Sequence, residues 1–420
     1  MKNILVIGSG RSAVTLIKYL LDNAEVNNWF VRVADFSLEL AEEAVNNHDY
    51  GKAIFFNVTD ENQRESEISN ADIVISMLPA SMHILVAEDC VRLHKNLVTA
   101  SYVSKEILAL DKKAKEAGII LLNEIGLDPG IDHMSAMKVI DEIKENGGEL
   151  TSFKSYCGGL VHPDFDNNPW NYKFTWSPRN VVLAGQGNAK FLENGKEKTI
   201  TYSDLFTTTE QMTILEAGAF EGYANRDSLS YKKAYGLDDI STLFRGTLRK
   251  IGYCNAWNIF VQLGMTDDSY KLESSENLRN RELVNRLLPY DDELSVEEKL
   301  CKQFKITTEG VIFKKLEWLG LFSDEKTGMK DASPAQLLQA ILEKKWTLDC
   351  EDKDMIVMQH QFEFLQNGNK KKLNSSLLVF GDNPRSTAMA KTVGLPVAIA
   401  AKLILNGVIQ STGVKIPTSK

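Results

Sequence analysis

The first residues of the chain constrain its fold strongly, because they join a strand to a helix through a glycine-rich turn. Residues 4–13 read ILVIGSGRSA, and the helical pattern TLIKYLLDN follows. This order is typical of a mononucleotide-binding unit, in which Gly8 permits the tight turn, Gly10 lets the backbone approach a pyrophosphate, and Ala13 packs helix on strand. The residues expected to hold the pyrophosphate side are Gly8, Gly10, Arg11 and Ser12.

The second strand ends in an acidic residue at the distance expected in such a unit. The stretch WFVRVAD closes on Asp35, whose carboxylate can accept hydrogen bonds from both ribose hydroxyls and would repel a 2′-phosphate. Asp35 therefore favours NAD over NADP as the coenzyme. Arg11 and Arg32 could meet a 2′-phosphate, so NADP stays possible, and Asp35 could also be a simple turn residue at a strand end.

Strand-like and helical stretches then alternate. Further strands are expected at AIFFNV, ADIVISMLP, NLVTASYVS and GIILLNEIG. This alternation predicts an α/β fold with a Rossmann-type, doubly wound parallel sheet. Ligands in such sheets lie beyond the carboxyl ends of the strands, so the loops after these strands should converge on the coenzyme.

The stretch NEIGLDPGIDH, residues 123–133, concentrates glycines and titratable side chains at one of these strand ends. Asp128 followed by Pro129 suits the start of a helix, but a cap does not account for the remaining special residues. We expect His133 to be a structural histidine or a phosphate-side donor rather than a catalytic group. Asp128, Asp132 and His133 could be mistaken for metal ligands, but no open-site ligand set accompanies them and no metal is expected.

The second half of the chain changes in character. EGYANRDS and TLFRGTLRK carry Arg226, Arg245 and Arg249. Each alone would be a surface cation, but three in short glycine-flanked stretches make a carboxylate clamp plausible. Residues 246–345 show helical periodicity, and MIVMQHQFEFLQ followed by KKLNSSLLVFGD alternates like a hairpin. The last helix is apolar on most faces and should be buried.

Composition limits the function classes. The 420 residues are too many for one ordinary core, and the net charge of −9 argues against a nucleic-acid partner. The five cysteines lack regular spacing, which indicates a reducing compartment. The opening strand leaves no room for a signal peptide, and VGLPVAIAAKLILNGVI looks too short and too interrupted to span a bilayer comfortably. We expect a cytoplasmic protein with no membrane partner.

Several of these stretches together resemble the L-glutamate-forming saccharopine dehydrogenases over nearly the whole chain. The matching motifs are GSG, ASYVS, NEIGLDPGIDH, SYCGGL, NPWNYKFTWSPR, NRDS, RGTLR and the terminal TVGLPVAIAAKLIL. The resemblance implies a Rossmann domain (residues 1–125 and 386–420), a second α/β domain that binds substrate and forms a homodimer (126–245 and 346–385), and a helical insertion (246–345). In one departure, the fungal NADP-using members carry a basic residue near the end of the second strand, where this chain has Asp35.

The resemblance also implies a reaction. Saccharopine would lose a hydride to the nicotinamide, and hydrolysis of the imine would release L-glutamate and 2-aminoadipate 6-semialdehyde. The candidate catalytic residues are Asp128, Tyr102 and Cys157. The candidate substrate contacts are Ser101, Tyr102, Asp128, Arg226, Arg245, Thr247 and Arg249. The candidates for the nicotinamide side are Leu78, Ser101 and Gly126, with Trp176 as a weaker addition. Asp128 suits contact with the substrate amine better than the role of base, because an unshifted carboxylate is a poor base near neutral pH.

Two other classes of protein stay open at this stage. A carboxynorspermidine or homospermidine synthase relative would share the Rossmann half but would not need several arginines. A non-enzymatic dinucleotide-binding regulator would keep the glycine turn without using Tyr102, Asp128 and Cys157.

Overall fold

The computed structural model describes residues 1–419. The strands are β1 Lys2–Ile7, β2 Trp29–Asp35, β3 Gly51–Phe55, β4 Ile73–Ser76, β5 Asn96–Val98, β6 Ile120–Leu122, β7 Glu149–Val161, β8 Ala189–Glu193, β9 Lys196–Ile200, β10 Thr209–Thr213, β11 Ala219–Ala224, β12 Thr242–Lys250, β13 Asp354–Gln366, β14 Asn369–Phe380 and β15 Gly413–Lys415. The helices are α1 Val14–Asp22, α2 Ala24–Asn27, α3 Leu38–Val45, α4 Glu61–Ser69, α5 His83–Arg92, α6 Lys105–Ala109, α7 Asp111–Glu116, α8 Ile131–Glu145, α9 Pro178–Val182, α10 Tyr202–Leu205, α11 Tyr253–Gln262, α12 Asn280–Leu287, α13 Val296–Phe304, α14 Val311–Trp318, α15 Pro334–Trp346 and α16 Ala388–Leu405.

The chain divides into two compact units, and each unit contains one of the two β-sheets. The first unit contains residues 1–142 together with the C-terminal segment from residue 381, and the second contains residues 143–380. The first unit thus runs past residue 125, where the resemblance placed the domain boundary, and its later part is tied back to the sheet: His133 Nε2 on α8 lies 2.9 Å from Glu124 Oε2.

The first unit is built on a seven-stranded parallel sheet with the order β15-β6-β5-β4-β1-β2-β3. Alternate residues of β1 face opposite sides: Ile4 and Val6 join one apolar cluster, while Leu5 and Ile7 join another. Burial on both faces explains why β1 reads as a continuous apolar run. The predicted Rossmann-type, doubly wound sheet is confirmed.

The C-terminal segment completes this unit. β15 pairs in parallel with β6, and α16 packs on the glycine turn, where a Cβ on Gly394 would lie 2.9 Å from Ser12 O. By length and composition alone α16 is the one helix among residues 1–419 that could cross a membrane, so the expectation that it is too short was wrong. Of the 18 residues of α16, 56% are buried inside the protein.

The second unit has an eight-stranded mixed sheet. Its main path is β10-β11-β12-β7-β13-β14, and β8 and β9 branch from β12. Strands β12 and β7 are parallel, whereas β13 and β14 form the antiparallel hairpin predicted from their alternating residues. The helices α11 to α15 contribute to an aromatic-rich core that includes Trp170, Trp257 and Trp346.

Candidate active site

The glycine turn after β1 has the backbone geometry that its sequence suggests. Gly8 has a φ of +102°, and a Cβ there would lie 2.8 Å from Met77 O, so a side chain would be both strained and obstructed. Gly10 has an ordinary φ of −64°, and a Cβ there would project into open space. Ala13 is buried, as expected of the small residue that packs helix on strand. The open space at Gly10 and the following helix fit a pyrophosphate, which a side chain there would crowd.

Asp35 is fixed against the same turn. Its Oδ2 accepts from Ser9 N at 2.7 Å and from Ser9 Oγ at 2.8 Å, and its Oδ1 accepts from Ser37 N at 2.9 Å. A carboxylate has about four acceptor positions, so about one is left, on Oδ1. The contact of Asp35 with the ribose hydroxyls stays a prediction.

The two arginines that could meet a 2′-phosphate differ in their surroundings. Arg32 is ion-paired through Nη1 with Glu67, and its Nη2 donates to Glu67 O at 2.9 Å. Arg11 is exposed at the start of the helical turn. Arg32 is therefore held by Glu67 on α4. Arg11, on the glycine turn, is the better placed of the two to bind the 2′-phosphate of NADP.

The turn NEIGLDPGIDH closes tightly on itself. Gly130 has a φ of +144°, and a Cβ on it would collide with the backbone of Gly126. Gly126 itself is buried, and a Cβ there would lie 2.9 Å from Ala100 Cβ. Helix α8 begins at Ile131, so Asp128 and Pro129 lie before its first residue. Glycine is required at both positions because the backbone at Gly130 packs directly on that at Gly126, which leaves no space for a side chain.

Asp128 is the one residue from 121 to 130 that is not buried. Tyr102, which follows β5, donates from its hydroxyl to Asp128 Oδ1 at 3.3 Å. The structure thus brings together two of the three residues expected to be catalytic, at the carboxyl ends of neighbouring strands. The pair therefore places a carboxyl group and a phenol hydroxyl within hydrogen-bonding distance of each other.

A buried pair behind this contact holds the two loops together. Glu124 Oε1 accepts from Val103 N at 3.0 Å, and His133 Nε2 lies 2.9 Å from Glu124 Oε2. Both side chains are buried, as is Asp132, whose Oδ1 accepts from Gly130 N at 2.6 Å. This is the geometry of a structural histidine, and it ties the Tyr102 loop to the first turn of α8. No group of three or more metal-ligating side chains is found among residues 1–419.

A second buried histidine was missed by sequence reasoning. His83, at the start of α5, lies with Nδ1 2.8 Å from Ser76 Oγ and with Nε2 2.7 Å from Ser101 Oγ. Burial lowers the pKa of His83 from 6.5 to about 4, so its ring is neutral at pH 7. The two bonds link the ends of β4 and β5 and fix the orientation of the Ser101 hydroxyl, which we expected on the nicotinamide side.

The remaining candidates for the coenzyme are distributed over both units. Leu78 and Ser12 are partly exposed in the first unit, at the ends of β4 and β1 respectively. Trp176 belongs to the second unit, where it packs partly buried against the aromatic core. Their contacts with a coenzyme remain predictions.

Strand β12 carries three of the expected substrate contacts on one face. Arg245, Thr247 and Arg249 alternate with Phe244, Gly246 and Leu248, so they point to the same side. Cys157 is the register partner of Thr247 on the neighbouring strand β7 and shares that face. The second unit therefore groups the third expected catalytic residue with the arginines, although Cys157 itself is buried.

The three arginines differ in their surroundings. Arg249 is buried, with its guanidinium 5.1 Å from the ring centroid of Tyr172 and 5.3 Å from that of Tyr253. Its Nη1 donates to Leu248 O at 2.8 Å, whereas its Nε is buried without a hydrogen-bond partner. Arg245 is also buried and lies 4.5 Å from the ring centroid of Tyr231. Arg226 is exposed, with a φ of +52°, on the turn after β11. A buried guanidinium with an unused donor is suited to an anion.

Known proteins similar to this chain cover nearly all of it. Saccharopine dehydrogenase (NADP(+), L-glutamate-forming) of Schizosaccharomyces pombe is 36% identical over an alignment of 426 positions, gaps included, that covers 99% of this chain and 94% of that protein. The structure of apo histidine-tagged saccharopine dehydrogenase (L-Glu forming) from Saccharomyces cerevisiae matches with a TM-score of 0.88 at 36% identity, covering 100% of this chain and 94% of the other. The mitochondrial alpha-aminoadipic semialdehyde synthase of Rattus norvegicus is 36% identical over 100% of this chain, which spans 46% of that longer protein.

Two family models divide the sequence between them. Residues 4–122 match the saccharopine dehydrogenase NADP binding domain, and residues 126–420 match the saccharopine dehydrogenase C-terminal domain. These descriptions and the name of the fungal relative support a nicotinamide coenzyme, but they favour NADP and give no support to the preference for NAD expected from Asp35. Because the matched regions and the full-length relatives agree, the chain belongs to the saccharopine dehydrogenase family.

Proposed function

We propose that the protein oxidises saccharopine with a nicotinamide coenzyme and releases L-glutamate and 2-aminoadipate 6-semialdehyde. The observation that carries this proposal is the line of Arg245, Thr247 and Arg249 on one face of β12, in a chain similar throughout to glutamate-forming enzymes. Saccharopine holds its secondary amine between carboxylates, and buried arginines recognise carboxylates in preference to amines.

The reaction makes and breaks a defined set of bonds. When bound, the nicotinamide accepts a hydride from the carbon that was the lysine ε-carbon. The secondary amine must first lose its extra proton to a base, because its nitrogen lone pair forms the C=N bond as the hydride leaves. Water then adds to the imine carbon, and the C–N bond breaks with a proton going to nitrogen. The aldehyde stays on the lysine-derived part, and the amine leaves as that of L-glutamate.

Asp128 and Tyr102 are suited to the first of these steps. The Asp128 carboxyl group can attract and orient the ammonium form of the substrate nitrogen, and the Tyr102 hydroxyl donates to its Oδ1 at 3.3 Å. An aspartate with an ordinary pKa is a poor base near neutral pH. We therefore assign Asp128 to orientation of the amine and Tyr102 to orientation of Asp128 and of the attacking water, and we assign Arg245 and Arg249 to the carboxylates.

For the coenzyme we propose NAD, in contrast to the names of the fungal relatives. Support comes from the side chains at the end of β2: Asp35 is held there by Ser9 and Ser37, and Arg32 is engaged by Glu67. A fixed carboxylate beside the ribose disfavours the extra phosphate of NADP because the two charges repel.

We also propose a homodimer joined through the second unit. Strand β14 has β13 on one side and ends the sheet path, so its other edge has no neighbour among residues 1–419. This edge strand is twelve residues long and carries the exposed side chains of Leu373 and Phe380. Its first half carries Lys370, Lys371 and Lys372, which oppose edge-to-edge pairing, so we place the contact between copies along residues 373–380. We propose the cytoplasm as the location, since all five cysteines are free thiols.

The experiment that tests the function is a product analysis. Purified protein is incubated with saccharopine and NAD, reduced coenzyme is followed by absorbance, and the products are identified by mass spectrometry. We expect L-glutamate and the semialdehyde. Appearance of lysine and 2-oxoglutarate would place the enzyme in the other branch of saccharopine chemistry. Turnover of carboxynorspermidine in place of saccharopine would assign it to the polyamine enzymes instead.

A further inference from the structure

Two phenylalanine rings are exposed side by side at the edge of the first unit's sheet. Phe36 is 71% exposed and Phe55 is 49% exposed, although both are large apolar side chains. Their ring centroids are 5.6 Å apart and their planes are inclined by 47°. Leaving two adjoining aromatic rings in water is unfavourable, and contiguous exposed apolar surface commonly marks a binding site.

The position of the two rings is set by the strands that carry them. Phe55 is the register partner of Asp35 on the neighbouring strand β3, and Phe36 directly follows Asp35 in the chain. Both rings therefore lie at the carboxyl ends of parallel strands, which is the ligand side of such a sheet. They adjoin the carboxylate that closes the ribose end of the dinucleotide site.

The backbone beneath the rings is held in place by hydrogen bonds. Phe56 N donates to Asp35 O at 2.8 Å, which ties the end of β3 to the end of β2. Gln63 on α4 donates from Nε2 to Phe55 O at 2.7 Å, and its Oε1 accepts from Asn57 N at 2.8 Å. Binding to a surface that is ordered in advance costs little conformational entropy.

We propose that Phe36 and Phe55 form an apolar platform for the adenine ring of the dinucleotide. In a dinucleotide the adenine is attached to the ribose that the acidic residue binds, so the base must extend over the surface around Asp35. The surface there is aromatic, and a purine face stacks on an aromatic ring. This inference rests on the dinucleotide site proposed above, and on Asp35 facing the adenosine ribose.

The platform implies that the protein discriminates little between purine bases. Phenyl rings offer no hydrogen-bond donor or acceptor, so the stack itself accepts any purine face. We therefore expect nicotinamide hypoxanthine dinucleotide, which replaces the adenine amino group by an oxygen, to bind within a factor of about two of NAD, since stacking tolerates changes at the edge of the base.

The test measures binding directly, without turnover. Calorimetric titrations of NAD and of ADP-ribose are compared for the unaltered protein, Phe36→Ala, Phe36→Trp and Phe55→Ala. The matched control is Val26→Ala, which removes a side chain that is 90% exposed on α2 of the same unit. We expect both alanine changes to weaken both ligands by roughly tenfold, as for loss of one base stack. Phe36→Trp and Val26→Ala should bind as the unaltered protein does.

Two further measurements, thermal unfolding and inhibition by nicotinamide mononucleotide, distinguish loss of base stacking from loss of folding. Because both rings are exposed, thermal unfolding of Phe36→Ala should match that of the unaltered protein, and inhibition by nicotinamide mononucleotide should not change. Unchanged binding of NAD by both alanine variants, with normal binding by the unaltered protein, would overturn the platform alone. Failure of the unaltered protein to bind any dinucleotide would overturn the coenzyme assignment and the platform with it.

Discussion

At the scale of single residues, the proposed preference for NAD depends on Asp35. Its carboxylate is fixed by Ser9 and Ser37. At an effective dielectric near 20, two like unit charges about 4 Å apart repel by roughly 4 kcal/mol. We therefore expect kcat/KM to be higher with NAD than with NADP by up to several hundred-fold, and we expect Asp35→Ser to reduce the ratio strongly.

The comparison needs both coenzymes at saturating saccharopine. Ser9→Ala is a useful control, since it removes one hydrogen bond to Asp35 at 2.8 Å but keeps the charge, and it should retain the preference for NAD. An equal or higher kcat/KM with NADP in the unaltered protein would show that Asp35 points away from the ribose and that Arg11 meets the phosphate.

His83 gives a residue-scale prediction about stability. Burial lowers its pKa from 6.5 to about 4, so between these values the unfolded state binds a proton that the folded state does not. The free energy of unfolding therefore falls as the pH falls from about 6.5 to about 4, and a difference of this size corresponds to about 3 kcal/mol over the whole window. Above about pH 6.5 His83 is neutral in both states, so it no longer lowers the free energy of unfolding.

The measurement compares urea unfolding of the unaltered protein and His83→Gln from about pH 7 to about pH 4. Glutamine keeps a donor and an acceptor for Ser76 and Ser101 but does not titrate. We expect the stability of the variant to decline less steeply in this window. Parallel curves would mean that His83 is protonated in the folded protein, in conflict with its burial.

At the scale of elements, β12 should bind the substrate through one face only. Replacing Arg245 or Arg249 by Gln removes a charged donor and should raise KM for saccharopine by roughly ten- to a hundredfold, corresponding to about 1.5–3 kcal/mol for a charge-assisted hydrogen bond. Steady-state kinetics measure KM, and calorimetry measures the affinity for NAD, which should not change.

Lys250 supplies the matched control for this strand. It follows Arg249 and so points to the opposite face, where its Nζ donates to Ala217 O at 2.9 Å. Lys250→Gln should leave KM for saccharopine unaltered. Because Arg245 and Arg249 are both buried, each variant also requires a melting curve. An equal loss of affinity for saccharopine and NAD in both arginine variants would contradict a specific role in substrate binding.

The elements themselves could be read from the sequence to different degrees. The strands and the glycine turn of the first unit depend on local patterns, and the turn around Gly126 and Gly130 carried its own signal. The hydrogen bonds from His83 to Ser76 and Ser101 could not be predicted from a local pattern, because these residues lie on separate elements that only the order of the strands in the sheet brings together. The contact between Tyr102 and Asp128 likewise joins residues 26 positions apart, so only the resemblance to a known family, and no local pattern, indicated that the two act together.

At the scale of the whole molecule, the free edge of β14 predicts the assembly state. Light scattering after size-exclusion chromatography should give twice the chain mass of 47.0 kDa. A double change, Leu373→Lys with Phe380→Lys, places charge on the edge strand and should yield monomers, since charged side chains oppose edge-to-edge pairing.

The control for the assembly is Val26→Lys, which adds one exposed charge on the first unit and should leave the dimer intact. A monomeric unaltered protein would exclude the homodimer. A dimer that persists in the double variant would place its interface elsewhere than at β14.

The return of α16 and β15 to the first unit has a consequence for how the protein is made. The ribosome releases the glycine turn first, but Gly394, which packs on Ser12 and Leu16, emerges only after the entire second unit. Until then α1 lacks the helix that covers it, and β6 lacks β15 along one edge. While the second unit is being translated, the first unit therefore lacks part of its core and one strand of its sheet, and we expect it to reach its final fold only when α16 and β15 have been released.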